Sequence, residues 1–102
     1  MKGYIYICDV FIVFMKADLV FDDLKNRDKI IAEVKRAFRQ CVGVEAEEVD
    51  FVRSVMARDW VVLEYEVRSK IAALRARVVF TDGDPAKALE EAERVLRSGG
   101  RP

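Results

Sequence analysis

Between Tyr4 and Met15 the chain does not alternate between apolar and polar residues; the run YIYICDVFIVFM carries a single charge, Asp9. Periodicity cannot separate a short apolar strand from a buried helix, so side-chain type decides. Ile5, Ile7, Val10, Ile12 and Val13 are β-branched, and Tyr4, Tyr6, Phe11 and Phe14 are aromatic, both suited to a pleated surface. The run therefore predicts one strand over 4–15, apolar on both faces, followed by a connection over 16–21. A strand of that kind expects cover on both sides. It is too short to cross a bilayer as a helix, which takes roughly 20 apolar residues.

The pattern then changes period. Ile30, Ile31, Val34, Ala37, Phe38 and Cys41 form one stripe at helical spacing and predict a helix over about 23–42. Asp22 or Asn26 is placed to cap its start, and Gly43 to end it. Residues 47–56 alternate as a strand with Val49, Phe51 and Val55 on one face, although Arg53 falls on that same apolar face. Residues 60–68 alternate again. A hairpin between the two sets Phe51 opposite Tyr65 and Val55 opposite Val61. Residues 71–81 read as a strand whose pairing with 60–68 places Glu66 against Arg75 and Glu64 against Arg77, opposite charges on neighbouring strands. A helix capped by Ser69 is the alternative for that segment. Asp84-Pro85 opens a last helix with the stripe Ala88, Leu89, Ala92, Val95 and Leu96.

The order β-α-β-β-β-α predicts an α+β fold: a two-layer sandwich with a four-stranded mixed sheet and both helices packed on one face. A right-handed crossover would make the first two strands parallel. Residues 1–97 form a single domain in this reading, and 98–102 a flexible tail. The first strand then keeps one apolar face and one edge open, which predicts a homodimer through strand 4–15. Its contact residues would be Tyr4, Tyr6, Val10, Ile12 and Phe14.

Composition narrows the function. The chain of 102 residues holds 18 basic and 18 acidic side chains, so no net field draws it to nucleic acid or to anionic lipid. Charged residues make up 35%, whereas Ser, Thr, Asn and Gln total only six. That balance is thermophile-like, with labile polar residues exchanged for ion pairs. Histidine is absent, which removes the usual general base and the Ser-His and Cys-His nucleophile pairs. Cys8 and Cys41 are too far apart for a metal-spaced pair and are expected to be buried free thiols, with a disulfide as the alternative. Asp9 is expected to be an edge-exposed or arginine-paired carboxylate rather than a catalytic one. The acidic cluster Glu45, Glu47, Glu48 and Asp50 reads as solvated. No cofactor and no metal are expected, and the protein is expected to be cytoplasmic.

The order of strand, helix, three strands and helix resembles that of ribosome-hibernation-promoting factors, and its last five elements resemble double-stranded-RNA-binding domains. The likeness implies an RNA- or ribosome-associated role. Separately, Lys35, Arg36, Arg39, Arg75 and Arg77 are a candidate basic surface, with ion-pair networks to the 18 acids as the leading reading. Double-stranded-RNA-binding domains place lysines at the start of the last helix, where this chain reads Asp82-Gly83-Asp84-Pro85-Ala86-Lys87. A shorter stretch, Val61-Val62-Leu63-Glu64-Tyr65-Glu66 to Ala73-Leu74-Arg75-Ala76, is similar to the strand-then-helix segment of the small dimerising subunit of the KEOPS tRNA-modification complex. That likeness requires a helix over 69–80. The leading expectation from the residues themselves is a non-enzymatic homodimeric interaction or accessory module, with RNA or ribosome association as the alternative.

Overall fold

The computed structural model describes residues 1–7 and 14–98. Strands β1 (Lys2–Tyr6) and β2 (Phe14–Val20) come first. A 3-10 turn (Phe21–Lys25) leads to helix α1 (Arg27–Val42). Strands β3 (Glu48–Met56), β4 (Trp60–Arg68) and β5 (Ala73–Thr81) follow, and helix α2 (Pro85–Arg97) ends the described chain. The fold is α+β, and its sheet has five strands in the order β2-β1-β5-β4-β3, each pair antiparallel.

The first correction is to the opening run. The single strand over 4–15 is replaced by two antiparallel ones, and Val10 and Ile12 lie outside the described residues. The expected connection at 16–21 is mostly β2. Its alternation is plain, with Leu19 buried between exposed Asp18 and Val20. An unbroken apolar run gives no local sign of where it reverses, which is why pattern alone reads it as one element. Gly3 makes the hairpin possible. A Cβ there would stand 2.7 Å from the Cβ of Leu19 and 3.2 Å from the Phe80 ring, so only glycine lets β2 approach so closely.

With two strands ahead of α1, the chain enters that helix from one edge of the sheet and leaves it at the other. The expected parallel crossover is therefore absent among the described strands. β1 lies inside the sheet, paired with β2 and β5.

The second correction concerns layers. On β4 the odd residues Val61, Leu63, Tyr65 and Val67 share a core with Ile30, Val34, Ala37 and Phe38 of α1. The even residues Trp60 and Val62 share another with Ala88, Leu89 and Ala92 of α2. Successive strand residues face opposite sides, so the two helices cover opposite faces of the sheet, not one. The reason is visible in the strand: Trp60-Val61-Val62-Leu63 is apolar at both parities and needs cover twice.

Several local expectations hold. Asn26 Oδ1 accepts the Lys29 N–H at the start of α1, and Gly43 ends it at φ 86°. Asp84 caps α2, with Pro85 in its first turn. Residues 73–81 are a strand, which removes the likeness that required a helix there. The turn before it uses a serine instead of glycine or asparagine: Ser69 Oγ accepts the N–H groups of Ile71 and Ala72.

Candidate interaction surfaces: two edges and a charged face

The charged ladder on β4 and β5 has the expected register, Glu64 opposite Arg77 and Glu66 opposite Arg75. Its centre is Glu64, only 2% exposed, which meets three guanidinium groups. Arg75 Nη1 donates to Glu64 Oε1 at 2.6 Å, and Arg53 Nε to the same oxygen at 3.3 Å. Arg77 lies 3.4 Å from Glu64 and 3.2 Å from Glu93 of α2. A carboxylate so placed is stabilised only because it is paired.

Arg53 reaches this face through a bulge. The β3–β4 pairing is regular up to Phe51 opposite Tyr65, skips Val52, and resumes with Arg53 opposite Glu64. The extra residue reverses the parity of everything after it. Arg53 thus leaves the apolar face that the sequence pattern assigned to it. Val55 pairs with Val62 rather than Val61, and packs on the α2 side. Glu48 and Asp50, also on that side by their pairing with Arg68 and Glu66, are both held by Arg68. Glu48, beside it, raises the Arg68 guanidinium above its ordinary value, with Asp50 adding to the effect. Three residues of the expected acidic cluster are therefore divided among ion pairs, Glu45 going to Arg39 and Glu48 and Asp50 to Arg68. Among the described residues no group of three or more candidate ligands is arranged to hold a metal ion.

The sheet has two edges, and they differ. At β2 the side chains of α1 reach the backbone: the Asp18 N–H donates to Glu33 Oε1 at 2.7 Å, and Arg36 Nη2 donates to the Lys16 carbonyl at 3.3 Å. Arg36 and Glu33 also bind each other at 2.9 Å. Those bonds hold the Glu33 carboxyl below its ordinary range, the Arg36 bond most and the Asp18 N–H less. At β3, no side chain among the described residues caps the outer backbone. Instead that strand carries Phe51, Val52 and Met56, which are 51%, 39% and 70% exposed. Phe51 stands edge-on to Tyr65, with ring centroids 5.6 Å apart. It borders an open groove of about 560 Å³ whose other walls include Leu24, Ile30 and Leu63. Burial there raises the Tyr65 phenol above its ordinary value.

Of the residues expected at a dimer contact, Val10 and Ile12 lie outside the described residues. Tyr4 and Tyr6 are half-buried against the core beneath α2, in a strand paired on both sides. Phe14 begins β2 opposite Tyr6. In the alternation of residues 47–56 the misplaced Arg53 is the one available sign of the sheet margin and of the bulge.

The expected basic residues divide between the two faces. Lys35, Arg36 and Arg39 line one shallow groove on α1 together with Glu45. Arg75 and Arg77 belong to the ladder on the opposite side of the sheet. Asp9 and Cys8 lie outside the described residues. Cys41 is disulfide-bonded, which corrects the expectation of a free thiol at that position. No helix among the described residues is long and apolar enough to cross a membrane. Comparison with protein-family models, with curated proteins and with solved structures gives no match.

Proposed function

We propose that this protein is a non-enzymatic interaction module that works as a homodimer, joined through strand β3. The observation that carries this reading is the uncapped β3 edge with its exposed Phe51, Val52 and Met56. Water-facing apolar side chains beside a row of unpaired backbone groups form a surface that association would cover. β3 is preferred to strand 4–15 for that role because β1, its first described part, already has neighbours on both sides. The charged side chains support a binding rather than a chemical role, since Glu64, Arg53, Arg75 and Arg77 neutralise one another instead of converging on an open cleft. The ion-pair ladder is also in keeping with a thermophile-like composition.

RNA or ribosome association has less in its favour. The groove beside Lys35, Arg36 and Arg39 is its best support, but Arg36 is engaged by Glu33 and Arg39 by Glu45. Light scattering across a micromolar concentration series tests the main reading. The expected result is a mass twice the 11.7 kDa of the chain; a strictly monomeric mass rules it out. Salt-sensitive binding to RNA at a mass that stays monomeric would favour the second reading.

A further inference from the structure

We infer the register of the dimer: two copies pair antiparallel along β3 about a two-fold axis between Phe51 and Val52, setting Asp50 of each copy against Arg53 of the other. This rests on the homodimer reading above and adds to it a defined alignment.

The bulge makes the first selection. When two copies join edge to edge about an axis perpendicular to the sheet, each face continues into the same face of the partner, so directly opposed residues must share a face. Pairing with β4 assigns those faces. Glu48, Asp50, Arg53 and Val55 oppose even-numbered residues of β4 and lie on the α2 side. Val49, Phe51, Ser54 and Met56 oppose odd-numbered residues and lie on the α1 side. An axis through Val52 would oppose Glu48 to Met56, Val49 to Val55, Asp50 to Ser54 and Phe51 to Arg53. Every one of those pairs joins opposite faces. An axis between Phe51 and Val52 opposes Glu48 to Val55, Val49 to Ser54 and Asp50 to Arg53, and every one of these joins like faces. In an unbulged strand the outcome would be reversed.

Charge makes the second selection. Moving the axis one residue toward the N-terminus, between Asp50 and Phe51, opposes Glu48 to Arg53 on like faces. However, it pairs only residues 48–53 and sets Asp50 on the α2 side against Phe51 on the α1 side. Moving it the other way, between Val52 and Arg53, opposes Asp50 to Val55 and makes no ion pair. The alignment between Phe51 and Val52 pairs residues 48–55 and forms the Asp50–Arg53 contact twice by symmetry. Both groups have capacity left. Arg53 gives only its Nε to Glu64 and is 47% exposed, and Asp50 gives Oδ2 to Arg68 and is 58% exposed. The edge also lacks the single-sign charge that would repel a second copy.

A charge-swap series tests the register in the full chain. Asp50→Lys sets one lysine against Arg53 of the other copy in each of the two symmetric contacts and is expected to raise the dimer dissociation constant roughly tenfold or more. Adding Arg53→Glu is expected to restore much of it, whereas Glu48→Lys has little effect. Should the double variant fail to fold by circular dichroism, a mixture of Val49→Cys and Ser54→Cys chains replaces it. Those two positions face each other, and the mixture should cross-link while neither variant alone does. A wild-type dimer unaffected by Asp50→Lys, or sensitive instead to Glu48→Lys, overturns the register and leaves the homodimer standing. Failure of the mixture to cross-link likewise overturns it. A monomeric wild type overturns both.

Discussion

The edges at β2 and β3 belong to one sheet but treat their outer backbone in opposite ways. At β2 a helix passes alongside, and its Glu33–Arg36 pair supplies one acceptor and one donor to the strand. At β3 no side chain among the described residues reaches the outer backbone, and the strand is left with a bulge, charges of both signs and three exposed apolar side chains. A bulge and charges are the ordinary means of keeping an edge from pairing indiscriminately. In the proposed dimer the bulge would restrict which alignments keep like faces together. One edge is closed by its own chain, and the other is left open.

Four experiments would break or sharpen that contrast. Glu64→Gln should have the largest effect, because it removes the carboxylate that gathers Arg53, Arg75 and Arg77. The expected loss is about 3 kcal/mol in urea unfolding, toward the low end for a broken buried pair because Arg53 and Arg75 can hydrate once released. It should also weaken the dimer by freeing Arg53. An unchanged midpoint would show that the ladder contributes nothing to β3. Gly3→Ala comes next, since its Cβ would meet that of Leu19 at 2.7 Å. A loss of about 1–3 kcal/mol is expected, localised by hydrogen exchange to β1 and β2 and sparing β3. Uniform loss of protection would contradict the separation of the two edges.

Glu33→Gln tests the closed edge directly. It weakens a charge-assisted bond to the Asp18 N–H and should cost about 1–2 kcal/mol. It should also change the response to acid. Because Glu33 and Asp23 both have lowered folded pKa values, their contribution is fully present above the ordinary carboxylate range. It is lost as pH falls through the folded values. The variant should therefore show a shallower decline below about pH 4.5, the ordinary value for Glu33, and an identical slope would remove the linkage. The smallest effect on folding belongs to Phe51→Asp on the open edge, about 0.5–1 kcal/mol from the lost edge-on contact with Tyr65. The same change should shift the dimer toward monomer in light scattering, and a mass that stays dimeric would move the contact away from β3.

The sequence disclosed what is enforced locally. Asn26, Gly43, Asp84 and Pro85 end their helices through bonds and torsions a few residues long, so their meaning survives without tertiary context. The pairs Glu64–Arg77 and Glu66–Arg75 were legible because two charge patterns matched across a short turn. The hairpin within residues 4–20 was not, since an apolar run is compatible with reversal anywhere along it and Gly3 acts on a neighbour that pattern does not reveal. The helix layers were misassigned for a related reason: Trp60 through Leu63 reads as a strand from either face. Arg53 was the informative anomaly. A charge on the apolar parity signals either a sheet margin or a change of parity, and it turned out to sit at both.

Val52 has a consequence for how this surface changes over generations. Removing that one codon would straighten β3 yet leave residues 53 to 56 opposite the β4 residues they already face, with Arg53 still against Glu64. Loss of a paired residue further along the strand would instead exchange the faces of those that follow it. Position 52 is therefore expected to tolerate deletion better than its neighbours in the strand.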